Sequence, residues 1–160
     1  AAYADKIDFA RDAVFAVHDD HLALAGVAHL AFGDDHAELG LSVLPAHRGQ
    51  GVGSALFERA SAHARNRFVS RLFMHCLKEN APIMRIARRF GMDIVTDIGD
   101  ADAHLELPPA SPASITGEFI TDRFAFYDYA LKAHVAGWKR INAALLGAAP
   151  APGPGQAEAA

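Results

Sequence analysis

The sequence predicts a single α/β domain of the α+β kind: a mixed, mainly antiparallel sheet flanked by helices, with a long helix appended at its C-terminal end. Three observations predict it. Short apolar runs separated by turn residues fill the first part of the chain, the pattern of an antiparallel meander. A strand, helix, strand succession follows across residues 38–77 and calls for a parallel or crossover connection. Beyond Pro108-Pro109, a helical stripe runs from Ser114 or Thr116 to Leu146. With 160 residues, 51% of them hydrophobic, the chain can bury one sizeable core and is short for two domains.

Ala13–Val17 reads as the first strand, His18–His21 as a turn and Leu22–Phe32 as the returning strand. Gly33-Asp34-Asp35 breaks it, and Glu38–Leu44 is the third strand, closed by Pro45. Ser54–Phe68 reads as a helix with Leu56, Ala60 and Ala64 on one face. Leu72–Leu77 has the length of a buried strand. Pro82 suits the first turn of the next helix, which runs to Phe90, and Gly91 suits its C-terminal cap. Asp93–Ile98 and Ala103–Leu107 read as two strands around a Gly-Asp turn. In the last helix Ile120, Phe124, Tyr127, Leu131, His134, Trp138, Ile141 and Leu145 alternate steps of four and three. Such a stripe either packs on its own domain or makes a homodimer contact. The Ala-, Pro- and Gly-rich stretch 147–160 is expected to be disordered. The expected organisation is a domain over 1–110, a long amphipathic helix over 111–146 and a tail over 147–160.

A net charge of −4 argues against a general nucleic-acid binder, which needs a basic excess to neutralise phosphates. No apolar run approaches the roughly 20 residues of a membrane helix, and no signal peptide is recognised. One cysteine, Cys76, allows no internal disulfide, and a cytoplasmic setting is expected. The excess of Ala, Arg and Asp suggests a bacterial source. The nine histidines are scattered; only His18-Asp19-Asp20-His21 is a tight group, and it reads as a solvated turn rather than a zinc site. No metal is expected.

The chemistry points to residues 43–54, where a strand gives way to a helix. Gly49, Gly51 and Gly53 let the backbone approach a ligand closely. The first amides of the following helix lack internal acceptors and carry the positive end of its dipole. Together they suit a phosphate or pyrophosphate. A nucleotide P-loop needs a Lys that this segment lacks, and the dinucleotide fingerprint fails where Ser54 stands. A third class of such turns is the pyrophosphate cradle of acyl-CoA-dependent acetyltransferases.

Arg48-Gly49-Gln50-Gly51-Val52-Gly53 resembles the signature Arg/Gln-x-x-Gly-x-Gly/Ala of the GNAT (GCN5-related N-acetyltransferase) family at every defined position. The resemblance extends over roughly residues 13–107 and includes Asn80, which opens a helix, and Gly91 eleven residues later. It implies an N-acetyltransferase that moves an acetyl group from acetyl-CoA, as cosubstrate, to a primary amine of a small molecule or peptide by direct attack. The alternative is a non-catalytic acyl-CoA-binding module. The amides of Gln50, Gly51, Val52, Gly53 and Ser54 would hold the pyrophosphate after Gly49, and Arg48 would add charge. Pantetheine would enter a gap between the strand ending at Val43 and the strand at Leu72–Leu77, bonding to backbone near Leu41 and Val43. The amide near Val43 would stabilise the oxyanion, and Asn80 would contact the pantetheine or phosphate side of the cofactor. The resemblance also implies a strand and two helices ahead of the meander, forming much of the acceptor pocket; the sequence starts almost at the meander, so these are expected to be lost or to lie outside it.

Attack by an amine needs a base, because a free alkylamine is protonated at neutral pH. Glu38 is the first candidate, near where several GNATs carry a catalytic Glu; His36 and His47 are its neighbours. Ala87 stands where many GNATs have a Tyr acid. His75, Cys76, Tyr127 or water would then protonate the thiolate, although Cys76 reads first as a small core residue. Asp34, Asp35 and Glu38 hint at a cationic acceptor.

Overall fold

The structure, a computed structural model, describes residues 7–145, apart from the side chains of Phe124, Phe126, Tyr127, Asp128, Leu131 and Leu145. The expected tail over 147–160 lies outside the described residues.

Six strands form one sheet: β1 (Ala13–His18), β2 (Leu24–Phe32), β3 (His36–Val43), β4 (Arg71–Leu77), β5 (Asp93–Thr96) and β6 (Asp100–Glu106), in the spatial order β1-β2-β3-β4-β6-β5. β1, β2 and β3 are the antiparallel meander. β3 and β4 are parallel, joined by helix α1 (Val52–Asn66). Helix α2 (Ala81–Arg89) leads to β5, and helix α3 (Pro112–Leu145) follows β6.

Alternation sends every second side chain to the helix-covered face. Ala28 and Leu30 of β2, Ala37 and Leu39 of β3, Leu72 and Met74 of β4, and Ala103 of β6 all join one buried cluster. α1 adds Leu56, Phe57, Ala60 and Ala64, and α2 adds Ala87. The Phe57 and Phe90 rings stack at 4.4 Å, which locks the two helices together on that face. Burying Leu56 or Phe57 contributes about 2–3 kcal/mol each. The opposite face carries His29, Glu38, Ser42, Phe73, His75 and Asp102.

Local chemistry sets the helix ends. Gly51, at φ 86°, is the N-cap of α1, so that helix starts at Val52 inside the glycine motif, earlier than the expected Ser54. Its other end is a left-handed turn at Phe68 (φ 63°), with Val69 N–H donating to Ala64 O and Phe68 N–H to Arg65 O. α2 ends the same way at Gly91 (φ 69°), with Met92 N–H donating to Ala87 O. Met92 and Ala87 are both buried there, which gives Ala87 a packing role.

α3 lies antiparallel along α1. Ser114 and Glu118 meet Asn66 and His63, and Asp122 pairs with Arg59. Further on, Tyr129 contacts the ring of His18 and Lys132 pairs with Asp20 at 3.5 Å. Of the sequence stripe, Ile120, Trp138 and Ile141 are exposed, while the side chains of Phe124, Tyr127, Leu131 and Leu145 lie outside the described set.

Candidate active site

The glycine turn is built for two different reasons. Gly49 (φ 76°) and Gly51 (φ 86°) occupy the left-handed region, which costs an L-residue roughly 1–2 kcal/mol. Gly53 has no such φ; a Cβ there would stand 2.8 Å from Ile86 Cδ1 of α2. The first two glycines shape the turn, and the third lets α1 and α2 approach. Between them opens a cleft of about 700 Å³, lined by Gly49, Gly51, Val52, Gly53 and Ser54 on one side and by Asn80, Ile83, Arg85, Ile86 and Arg89 on the other. The N-terminal amides of α1 point into a site whose rim carries Arg48, Arg85 and Arg89 against one acid, Glu79, a positive balance that favours an anion.

Arg48 lines the cleft, but its Nε donates to Val43 O at 3.1 Å, so it braces the end of β3. Gln50 turns its side chain back to Ala46 O at 3.0 Å and, unlike Arg48, Gly49 and residues 51–54, does not line the cleft. Asn80 Oδ1 accepts from Ile83 N–H at 3.4 Å, so this residue caps α2 as well as lining the cleft. Arg85 and Arg89, which the sequence reading did not single out, join it from α2. Their spacing of four on one helix face was the available signal.

The cleft runs into a break in the sheet. β3 and β4 pair only from His36/Arg71 to Glu38/Phe73, although β3 continues to Val43 and β4 to Leu77. The two strands diverge, as the resemblance implied. Leu44 N–H donates to Ala25 O on β2 at 3.0 Å. Strand alternation then turns the N–H groups of Val43 and Leu41 the other way, towards the gap. Among the described residues no strand pairs with that edge beyond Glu38.

Glu38 is exposed on the face opposite the helices, at the last paired rung of β3 and β4. It lines a groove of about 520 Å³ with Val27, Gly40, Ser42 and His75. Leu41 and Ser42 border both this groove and the cleft, so the gap joins the two. His36 is apart from the gap, hydrogen-bonded to Asp35 at 3.1 Å. His47 lines the cleft and faces Asp19 at 3.9 Å. Asp35 is engaged by His36 and by Arg71, in that order the causes of its lowered pKa, so its charge is already matched. Asp19 accepts from the N–H groups of Ala23 and His21, which closes the β1–β2 turn. Cys76 donates to Ala101 O at 3.3 Å on the core side of β4, and burial, then the charge of Asp102, push its thiol up. It is a packed thiol. The side chain of Tyr127 lies outside the described residues.

Comparison with known proteins agrees with this geometry. A family model described as the acetyltransferase (GNAT) family matches residues 2–92. The fold matches the ribosomal-protein-S18-alanine N-acetyltransferase from Escherichia coli at a TM-score of 0.60 and 22% identity, over 69% of this chain and 78% of that one. It matches mutant forms of a spermidine/spermine N-acetyltransferase from Vibrio cholerae at 0.55 and 18%, over 66% and 70%. It also matches a PaiA N-acetyltransferase from Thermoplasma acidophilum, solved in complex with coenzyme A, at 0.56 and 17%, over 60% and 61%. At these identities the structures establish the fold. A comparison with curated protein sequences gives no match. No helix among the described residues is long and apolar enough to cross a membrane. The matched family model covers more than half of the chain and includes the whole glycine cradle, so this protein belongs to the GNAT family of acetyltransferases and takes acetyl-CoA as its cosubstrate.

Proposed function

We propose that the protein transfers the acetyl group of acetyl-CoA to a primary amine by direct attack. One observation carries this reading: the glycine cradle opens into a gap where the main-chain edge of β3 has no partner strand. In this reading the amides of residues 50–54 hold the pyrophosphate. Pantetheine adds to the edge of β3 at Leu41 and Val43 as an extra strand would. The Val43 N–H aims at the thioester oxygen and stabilises the oxyanion that develops there. Glu38, at the vertex of the gap, removes a proton from the incoming ammonium. Arg85 and Arg89 add positive charge beside the phosphates.

The test is calorimetric binding of acetyl-CoA together with thiol release. Spermidine and a peptide with N-terminal alanine are suitable acceptors, since proteins of this fold act on such amines. Binding with thiol release supports the reading. Binding without release for any amine would favour the non-catalytic module instead.

A second proposal concerns α3. Its exposed Phe119, Ile120, Trp138 and Ile141 offer a surface for a second copy of the chain. A monomer at all concentrations in sedimentation would exclude that homodimer. Residues 1–110 would then act as the cofactor-binding unit, with α3 as the appended interface, in a cytoplasmic setting.

A further inference from the structure

We propose that His75, held by Asp102, is the second proton carrier of the reaction, moving the amine's last proton to the leaving thiolate. This rests on the acetyl-transfer reading above. β3 and β4 are in register to Glu38/Phe73. Two residues further along each strand, Gly40 and His75 stand across the opening gap. Leu72 and Met74 point into the core, so alternation sends His75 to the opposite face, into the groove that also holds Glu38.

Its orientation is set from the other side. β4 and β6 are antiparallel, and the register places His75 directly opposite Asp102. His75 Nδ1 is hydrogen-bonded to Asp102 Oδ1. With Nδ1 engaged, Nε2 is the nitrogen left for chemistry, the arrangement that makes an imidazole a directed base. The charged and titratable surroundings are Asp102 and Asp100 on β6 and Asp97 in the preceding turn, with Glu38 and His29 across the groove and His104 further along β6.

The proton balance calls for two groups. An ammonium loses two protons on becoming an amide. Glu38 takes the first and passes it to solvent. As the amine nitrogen bonds to the thioester carbon, the electron pair of the carbonyl moves to oxygen, and the second proton passes from nitrogen to His75 Nε2. The C–S bond then breaks, the carbonyl re-forms and the thiolate takes that proton. His75 ends as it began. Asp102 acts as a positioning residue.

The experiment measures thiol release from acetyl-CoA between pH 5 and 9, with spermidine and the alanyl peptide as acceptors, for the wild type, His75→Gln, Asp102→Asn and Glu38→Gln. The His75 side chain is 66% exposed, so H75Q should keep its melting temperature and its acetyl-CoA affinity. H75Q is expected to lose about a hundredfold or more in kcat and the rate limb that a histidine gives between pH 5 and 8. D102N should lose less in kcat, whereas E38Q should keep the histidine limb. An H75Q enzyme with unchanged rate and pH profile would overturn this inference alone. A wild type that binds acetyl-CoA but releases no thiol would remove the transferase reading and the inference with it.

Discussion

His63 Nδ1 lies 2.6 Å from Glu118 Oε1, and this contact ties α3 to α1. The other carboxylate oxygen accepts from Asn66 Nδ2 at 2.6 Å, and Asn66 Oδ1 in turn accepts from Ser114 Oγ at 2.6 Å. The His63 ring is wedged against Phe15 and Phe32. One carboxylate on α3 thus reaches through α1 to the sheet.

Replacing Glu118 with Ala should therefore cost about 2–3 kcal/mol, because charged hydrogen bonds are lost, His63 loses its carboxylate and Asn66 keeps only Ser114. Burial acts to raise the Glu118 pKa, but hydrogen bonds from Asn66 and His63 and the charge of Arg59 outweigh it and hold the carboxyl below its ordinary value near 4.5. A carboxyl lowered by folding contributes stability above its unfolded value and loses it as pH falls through its folded one. Urea unfolding from pH 7 to 3 should show E118A and wild type converging in acid. A constant difference down to pH 3 would mean that the carboxylate charge is not what holds α3.

Gly51 is the glycine whose replacement should most damage cofactor binding. A Cβ there meets nothing within 4 Å, so any cost comes from the backbone at φ 86°. Gly51→Val should leave the sheet and its core in place but displace the amides that open α1. Acetyl-CoA affinity is expected to fall at least tenfold, about 1.4 kcal/mol, the size of one left-handed strain. Equal calorimetric affinities would contradict the cradle.

Glu38→Gln should reduce kcat by about a hundredfold while leaving the acetyl-CoA dissociation constant alone, since Glu38 borders the groove and not the cleft. A fall in affinity with kcat retained would place Glu38 in binding instead.

Phe68 carries strain that buys no burial. It is 80% exposed and sits at φ 63° in the turn that ends α1. Phe68→Gly should stabilise the fold by about 1 kcal/mol and raise the melting temperature by roughly 2–4 °C. A lower melting temperature would show that the exposed ring makes a contribution the turn geometry conceals.

Among the described residues, the order and type of the six strands and three α-helices were legible, because each rests on a local period or a local turn signal. So was the cradle, because φ above zero and an uncapped helix start are properties of a few adjacent residues. Boundaries slipped where the local signal misled. The α1 start moved into the motif because Gly51 itself is the cap, and its end fell short of Phe68 because a phenylalanine gives no hint of a left-handed turn. The break between β3 and β4 was implied by family resemblance, not by any residue between 38 and 77.

By itself the sequence determined where the glycine turn bends the chain into the start of α1, since glycine placement and helix polarity act over single bonds and single turns. Tertiary structure decided what stands around it. Arg85 and Arg89 reach the cleft only because Gly53 lets α2 close on α1. His75 meets Asp102 across 27 residues only because β4 and β6 settle in one antiparallel register. Such pairings depend on how the whole core packs, and a one-residue slip would send either side chain to the wrong face.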